Sequence, residues 1–329
     1  MAMRFERMVV LAALAATVST SIAAAQTYPS QPYPSQPIKI VVPTSPGGPN
    51  DIVGRLAADI LGKLGQAVVV ENRSGAGGAL GAREVAKAPA DGHFLLVANT
   101  STMAINPAVS ANAGYDPVTS FAPVAKFWEA YQFLAVHAST PWKSVGDLVA
   151  EAKANPGKLN YAHGGTGNFQ HMIGELMMQR TGVRFVGVSF RGSSDSINAL
   201  LGQVVHFTYA DGAVVMPLVQ AGSMRVLGST GEKRSTLAPE VPTMAEAGIV
   251  DFEATSFFGI VAPAGTPEPI VRALNAAINE GLKTPKSQAL IGQLGLVSDP
   301  GTPEDFGAFI AAKSAQWREV ARAAGIRTN

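Results

Sequence analysis

The sequence contains no cysteine. That excludes disulfides, thiolate metal sites, a cysteine nucleophile and a lipid-modified cysteine as a membrane anchor. Neither sign of charge is in excess, with 25 Lys and Arg against 24 Asp and Glu, so composition gives no electrostatic reason to expect nucleic acid or an anionic membrane as partner. Histidine is sparse: His93, His137, His163, His171 and His206 form neither a helical i, i+4 metal pair nor a finger-like spacing, and no metal is expected. Long apolar runs are missing too. The apolar stretch Met8 to Ala16 is shorter than the ~20 residues a spanning helix needs, and no second one follows.

That short stretch has the layout of an export address instead. Arg4 and Arg7 precede it and Ala23-Ala24-Ala25 follow it, so residues 1–25 are expected to be a signal peptide, cleaved near Ala25/Gln26, with the mature chain free in a periplasm. Removing Arg4, Glu6 and Arg7 leaves the two signs of charge equal. Residues 26–37 repeat Tyr-Pro-Ser-Gln-Pro twice, a leader whose prolines cannot join a central strand.

With 47% hydrophobic and 15% charged residues, the remainder is a globular chain with ample core. Apolar runs at Ile38–Val42, Val68–Val70 and Phe94–Ala98 alternate with helical stretches near Asp51–Leu64 and Ala79–Ala88, the pattern of βαβ units on a parallel sheet. In the first helix Ile52, Leu56, Ile60 and Leu64 share one face, and Arg55, Asp59 and Lys63 the other. A second alternating series runs from Phe133–Val136 to Arg225–Ser229 and predicts a second parallel sheet. Two long helices close the chain, expected to be capped by Thr266 and Thr302 with Pro267 and Pro303 in their first turns. They need a formed sheet to pack on, and the first is the natural host. A chain that leaves one lobe, builds another and returns makes two crossings, so the expected fold is α/β, a two-lobed clamp with a parallel or mixed sheet in each lobe. The expected lobes are 38–136 plus 254–329, and 137–253.

Three loops join a strand end to a helix start: Thr44-Ser45-Pro46-Gly47-Gly48-Pro49-Asn50-Asp51, Ala162 to Gln170, and Arg191-Gly192-Ser193-Ser194-Asp195. Each can aim backbone N–H groups and a helix N-terminus at an anion, on the side of the sheets where ligands usually bind. Taken singly, the glycines of the first loop are equally explained by a tight turn. Enzymatic readings fail on the same residues. His163-Gly164-Gly165 is similar to an esterase oxyanion loop, but no Gly-x-Ser-x-Gly elbow supplies a nucleophile. Gly75 to Gly81 is similar to a dinucleotide fingerprint, yet Leu80 holds the third glycine place and Glu71–Ser74 separates the motif from its strand. No catalytic set and no cofactor are expected.

Several stretches carry a specific resemblance: Ile38–Arg55 (IKIVVPTSPGGPNDIVGR), Val68–Gly81 (VVVENRSGAGGALG), Pro89–His93, Ile105–Pro107 with Tyr115-Asp116-Pro117, Asn155–Tyr161, Ala238–Gly248 and Ala262–Pro267. From Pro37 onward the chain resembles the receptors of tripartite tricarboxylate transporters, the TctC or Bug-type periplasmic binding proteins. The resemblance implies a small organic carboxylate held between the loops near Pro46–Asp51 and His163–Asn168, a two-component membrane permease as partner, and no cofactor. By position it implies ligand contacts from Thr44, Ser45, Gly48 and Asp51, from Gly165, Thr166 and His171, and less uniformly from Ser101 and Arg191.

The chain departs from the family where Pro43-Thr44-Ser45-Pro46 replaces Phe-Pro-Ala, where His163 and Phe169 replace Ser or Asn, and where Tyr209-Ala210-Asp211 replaces Phe-Asp-Asn. A larger planar ligand accounts for these changes: Phe169 with Phe257 or Phe258 would stack on a ring, and Arg191 or His163 would meet a second carboxylate. An aromatic acid such as terephthalate is the expectation, with a citrate-like aliphatic acid as the alternative. Phe257 and Phe258 have a second reading as hinge packing, and Arg191 as a hinge fastener. His171 reads as a helix-packing residue, and Asp51 as a first-turn residue that stabilises its own helix. A monomer is expected, since a clamp must move; a sensor that docks on a membrane signalling protein would use the same ligand site.

Overall fold

The computed structural model describes residues 33–110, 112–190 and 193–328. The expected signal peptide, most of the proline-rich leader and Arg191 lie outside them. Among the described residues the fold is carried from Gln36 onward.

The first sheet begins as the apolar runs predict. β1 (Ile38–Val42), α1 (Pro49–Leu61), β2 (Val68–Asn72), α2 (Ala79–Ala86) and β3 (Phe94–Asn99) alternate strand with helix, with β1 paired in parallel to both β2 and β3. β3 then runs through a π-helical turn, Ser101–Ile105, into the short α3 (Asn106–Val109). Next comes β4 (Phe121–His137), far longer than the expected strand at Phe133–Val136.

β4 organises the molecule. Its first half, Phe121 to Tyr131, pairs antiparallel with β9 (Thr255–Pro263), which pairs in turn with β3. Its second half, Gln132 to His137, pairs antiparallel with β7 (Phe207–Asp211) and β8 (Met224–Ser229). In the first sheet β4 is the edge strand, and its register shifts between Pro123 and Ala125, which is where a proline without an N–H is tolerated. The second sheet is completed by β5 (Asn160–His163) and β6 (Val186–Ser189), with β5 parallel to both β6 and β7. It is therefore mixed rather than parallel, because β8 joins antiparallel to β4. The helices between these strands are α4 (Val145–Ala154), α5 (Phe169–Thr181), α6 (Ser193–Leu201) and α7 (Gly212–Gln220).

Strand direction places the site. In the first sheet β1 and β3 run the same way as β4, so their C-terminal ends point toward the second sheet; in the second sheet β5 and β7 run against β4, so theirs point back. The changeover lies between Tyr131, paired with Thr255, and Gln132, paired with Asp211; the boundary expected at 136/137 falls inside the second-sheet pairing. The return crossing is pinned by Thr230: its N–H donates to Gln132 O, its hydroxyl to Ala254 O at 2.6 Å, and it accepts from Gln132 N.

α8 (Glu268–Leu282), α9 (Pro285–Gln293) and α10 (Pro303–Ala324) close the chain. α10 is capped as expected, with Thr302 and Asp305 forming a reciprocal capping box. α8 is not: Thr266 donates to Pro263 O, and Pro267 occupies the cap position. One face of α10 reaches the second sheet's helices, where Trp317 is fully buried and meets Phe169 edge-on at 5.7 Å, and Gln179 donates to Val320 O.

Candidate ligand-binding site

The loop after β1 is built by a carboxylate. Asp51, in the first turn of α1, accepts from Gly47 N at 3.1 Å, Arg55 Nε at 2.8 Å and Asn72 Nδ2 at 3.1 Å. These donors, the Arg55 bond foremost, hold its carboxyl below the usual range. Asp51 thus spends its oxygens on the loop and its own helix. Gly47 sits at φ +88°, a conformation that glycine adopts without strain. Gly48 caps α1 by backbone alone, with no side-chain hydrogen bond to the helix N-terminus. Beside it Thr44 Oγ1 is buried with no hydrogen-bond partner among the described residues, and Ser45 is exposed. An uncapped helix start next to an unpartnered hydroxyl is a place that welcomes an anion.

Neighbouring loops brace it. Asn99 Nδ2 donates to Asn50 Oδ1 at 2.7 Å, Asn106 Nδ2 to Gly77 O at 2.8 Å and Tyr115 Oη to Thr102 O at 2.7 Å.

In the second sheet, the loop after β5 rests on two stacked histidines. The rings of His163 and His171 lie 4.4 Å apart and 21° from parallel. His163 Nδ1 accepts from Gly165 N at 3.3 Å and His171 Nδ1 from Gly167 N at 2.9 Å, while His171 Nε2 faces Glu175 at 3.5 Å. Asn168 caps α5 by accepting from His171 N. Burial pushes the His163 imidazole down to about 4, with the neighbouring His171 acting in the same sense. With its ring buried and its Nδ1 already serving Gly165, His163 sits as a support of the loop.

Two concavities flank these loops. Ser101 and Thr166 share the wall of a groove of about 580 Å³, together with Arg83, Asn106, Ser110 and Asn168. The second, of about 270 Å³, lies at the strand changeover, between Pro49 and Ile52 of α1, the middle of β4, the first turn of α7 and Leu294–Leu296. Asp211 is on its wall; burial raises its carboxyl above the ordinary range against the opposing hydrogen bond donated by Gln132 Nε2. Phe169 and Phe257 line neither space. Phe257 is fully buried against Phe306 and Phe309, and Phe169 packs on Trp317. The aromatic walls are Trp128, Tyr131, Phe133 and Phe258 instead. Phe258 was within reach of sequence reasoning, because alternation along β9 puts adjacent residues on opposite faces; the others required knowing that β4 spans the changeover.

Comparison with known proteins fits this geometry. The family model of the tripartite tricarboxylate transporter family receptor, TctC, matches residues 52–326. The chain belongs to that family. It is 34% identical to protein BugT of Bordetella pertussis over 96% of this chain and 94% of that one. Among solved structures, Rpa4515 of R. palustris, determined with adipate, is 35% identical with a TM-score of 0.76, over 90% of this chain and 99% of that one. MatC from Rhodopseudomonas palustris, with bound malate, is 30% identical with a TM-score of 0.73, over 88% and 99%. This TctC/Bug-type chain therefore has the two-lobed α/β fold of periplasmic binding proteins, and its relatives are receptors, not enzymes. Among the described residues no helix is long and apolar enough to cross a membrane.

Proposed function

We propose that this receptor captures a small organic carboxylate between the loop Thr44–Gly48 and the loop Gly165–Asn168, and presents the closed form to a two-component membrane permease. The observation that carries this reading is the α1 N-terminus, left without a side-chain cap beside the unpartnered Thr44 hydroxyl. The dicarboxylates held by Rpa4515 and MatC support the same ligand class. The moving parts are the two sheets with their helices, joined where β4 changes over between Tyr131 and Gln132 and by the Thr230–Ala254 crossing. A ligand that touches both lobes contributes hydrogen bonds only when they are closed, and so shifts the population toward closure. The protein works as an exported monomer in the periplasm.

Within that class we favour an aromatic acid, the ring class to which terephthalate belongs, because the cavity beside α1 is walled by Trp128, Tyr131, Phe133 and Phe258. Ser101 and Thr166 serve the polar side, whose wall Arg83 shares, and Arg191 is a further candidate cation. A thermal-shift screen of aromatic and aliphatic mono-, di- and tricarboxylates tests both levels, since a ligand specific to the folded state raises the melting temperature. Stabilisation by aliphatic acids alone would retain the receptor reading and discard the aromatic one. No shift with any carboxylate would discard the ligand class.

A further inference from the structure

Sequence reasoning gave the ligand two charged ends. The cavity beside α1 argues for one. Its wall is apolar and aromatic, from Ile52, Trp128, Phe133, Phe258, Leu294 and Leu296. Its volume of about 270 Å³ exceeds the ~150 Å³ that is enough for a dry, apolar cavity to take up benzene. Pro49, the residue directly after the Gly48 cap of α1, is on the same wall, so the cavity opens beside the loop assigned to the carboxylate.

Granting that carboxylate reading, we propose that the cavity receives the far end of the same ligand and that this end is uncharged and ring-sized, so that the substrate class is an aryl monocarboxylate. Among the described residues no lysine, arginine or histidine lines the cavity; its ionisable side chains are Asp211 and Tyr131. A second carboxylate placed there would lose its water with no cation to replace it, and would face the Asp211 carboxyl group at close range. Burial raises both Asp211 and Tyr131, which marks the space as one that disfavours negative charge. A methyl or hydroxyl at the far end of the ring fits without that cost. The geometry differs from the stacking on Phe169 and Phe257 expected from sequence, since the ring is enclosed by the changeover of β4 and by α7 rather than sandwiched by a loop.

Titration calorimetry on the full chain with 4-methylbenzoate, terephthalate and adipate tests this. The two aromatic acids share a ring and a carboxylate and differ only in the group opposite. 4-Methylbenzoate is expected to bind at least tenfold more tightly than terephthalate. Val214→Trp and Ala213→Phe, both at exposed positions of α7 on the cavity wall, are expected to reduce affinity for 4-methylbenzoate relative to adipate at least tenfold. Melting curves of the two variants confirm folding. Equal or tighter binding of terephthalate overturns the uncharged end, and an unchanged ratio in both folded variants overturns the cavity. Adipate binding with neither aromatic acid binding overturns this proposal and leaves the carboxylate reading standing; if none of the three binds, both fall.

Discussion

Acid should loosen the loop after β5 before it unfolds the rest of the protein, and His163 should be the group that does it. The ring is buried, stacked on His171, and accepts Gly165 N at its Nδ1. Protonation would put a donor where the loop needs an acceptor. The folded-state pKa is depressed to about 4 from an ordinary 6.5, so the unfolded chain takes up its proton first as pH falls. The neutral ring's contribution is complete above about pH 6.5 and declines until about pH 4, where the folded protein is protonated as well. A shift of this size corresponds to at most about 3.5 kcal/mol, at ~1.4 kcal/mol per unit. For a chain of this length that is roughly 5 °C or more in melting temperature. Melting curves between pH 7 and 4 on the parent and on His163→Phe check it. Phenylalanine keeps the stack on His171 and removes the acceptor, so it should cost about 1 kcal/mol at pH 7 while flattening the decline between pH 6.5 and 4.5. Carboxylates with depressed pKa values, such as Asp51, lose their stabilisation at the acid end in both proteins, so the difference between the two curves isolates the ring. Parallel curves would refute the assignment.

Other expectations follow from the same contacts. Thr44→Ala removes a hydroxyl with no partner among the described residues; melting temperature should stay within a degree or two, while carboxylate affinity should fall roughly tenfold, the worth of one hydrogen bond to a charged group, as read by calorimetry. Asp211→Asn keeps the oxygen that accepts from Gln132 and abolishes a buried charge whose pKa is raised; because that raised pKa penalises the folded state only above the unfolded value, the variant should melt higher at pH 7 and lose its advantage near pH 3. Thr230→Val takes the hydroxyl from between Gln132 N and Ala254 O and should cost about 1–3 kcal/mol in denaturant titrations, for two backbone groups left unpaired. Gly165→Ala adds a side chain at φ +126° with open space around it; the clash is with its own backbone, so affinity should drop more than stability, by calorimetry and melting on the same sample.

How far the sequence carries depends on the range over which each feature is determined. β1, α1, β2, α2 and β3 are legible because apolar period and glycine-rich turns are local signals, and the Thr302 cap because the capping residue sits within three positions of its partner. β4 is not legible: Pro123 and the polar residues Lys126, Glu129 and Gln132 break its apolar run, and only its place at the edge of one sheet, then inside another, explains their tolerance. The loops of the site can be read from their glycines. The roles within them cannot, since Asp51 and His163 carry the chemistry of ligand contacts and are turned inward by neighbours distant in sequence, Asn72 for one and His171 with Glu175 for the other. Phe257 and Phe258 are adjacent and chemically identical, and the face each occupies is fixed by the register of β9 against β4, which composition does not reveal.

The passage of β4 from one sheet to the other without a break makes the hinge a torsion element. An interlobe connection made of loops swivels at little cost; a paired strand resists, because rotation must be taken up as added twist around Tyr131 and Gln132. Opening should accordingly be small in amplitude and elastic in return. It also ties the fate of one half to the other. Heat that separates β4 from β9 strips β7 and β8 of a continuous neighbour, so a calorimetric scan should record one endotherm for both lobes, and either lobe expressed alone should fail to hold its sheet.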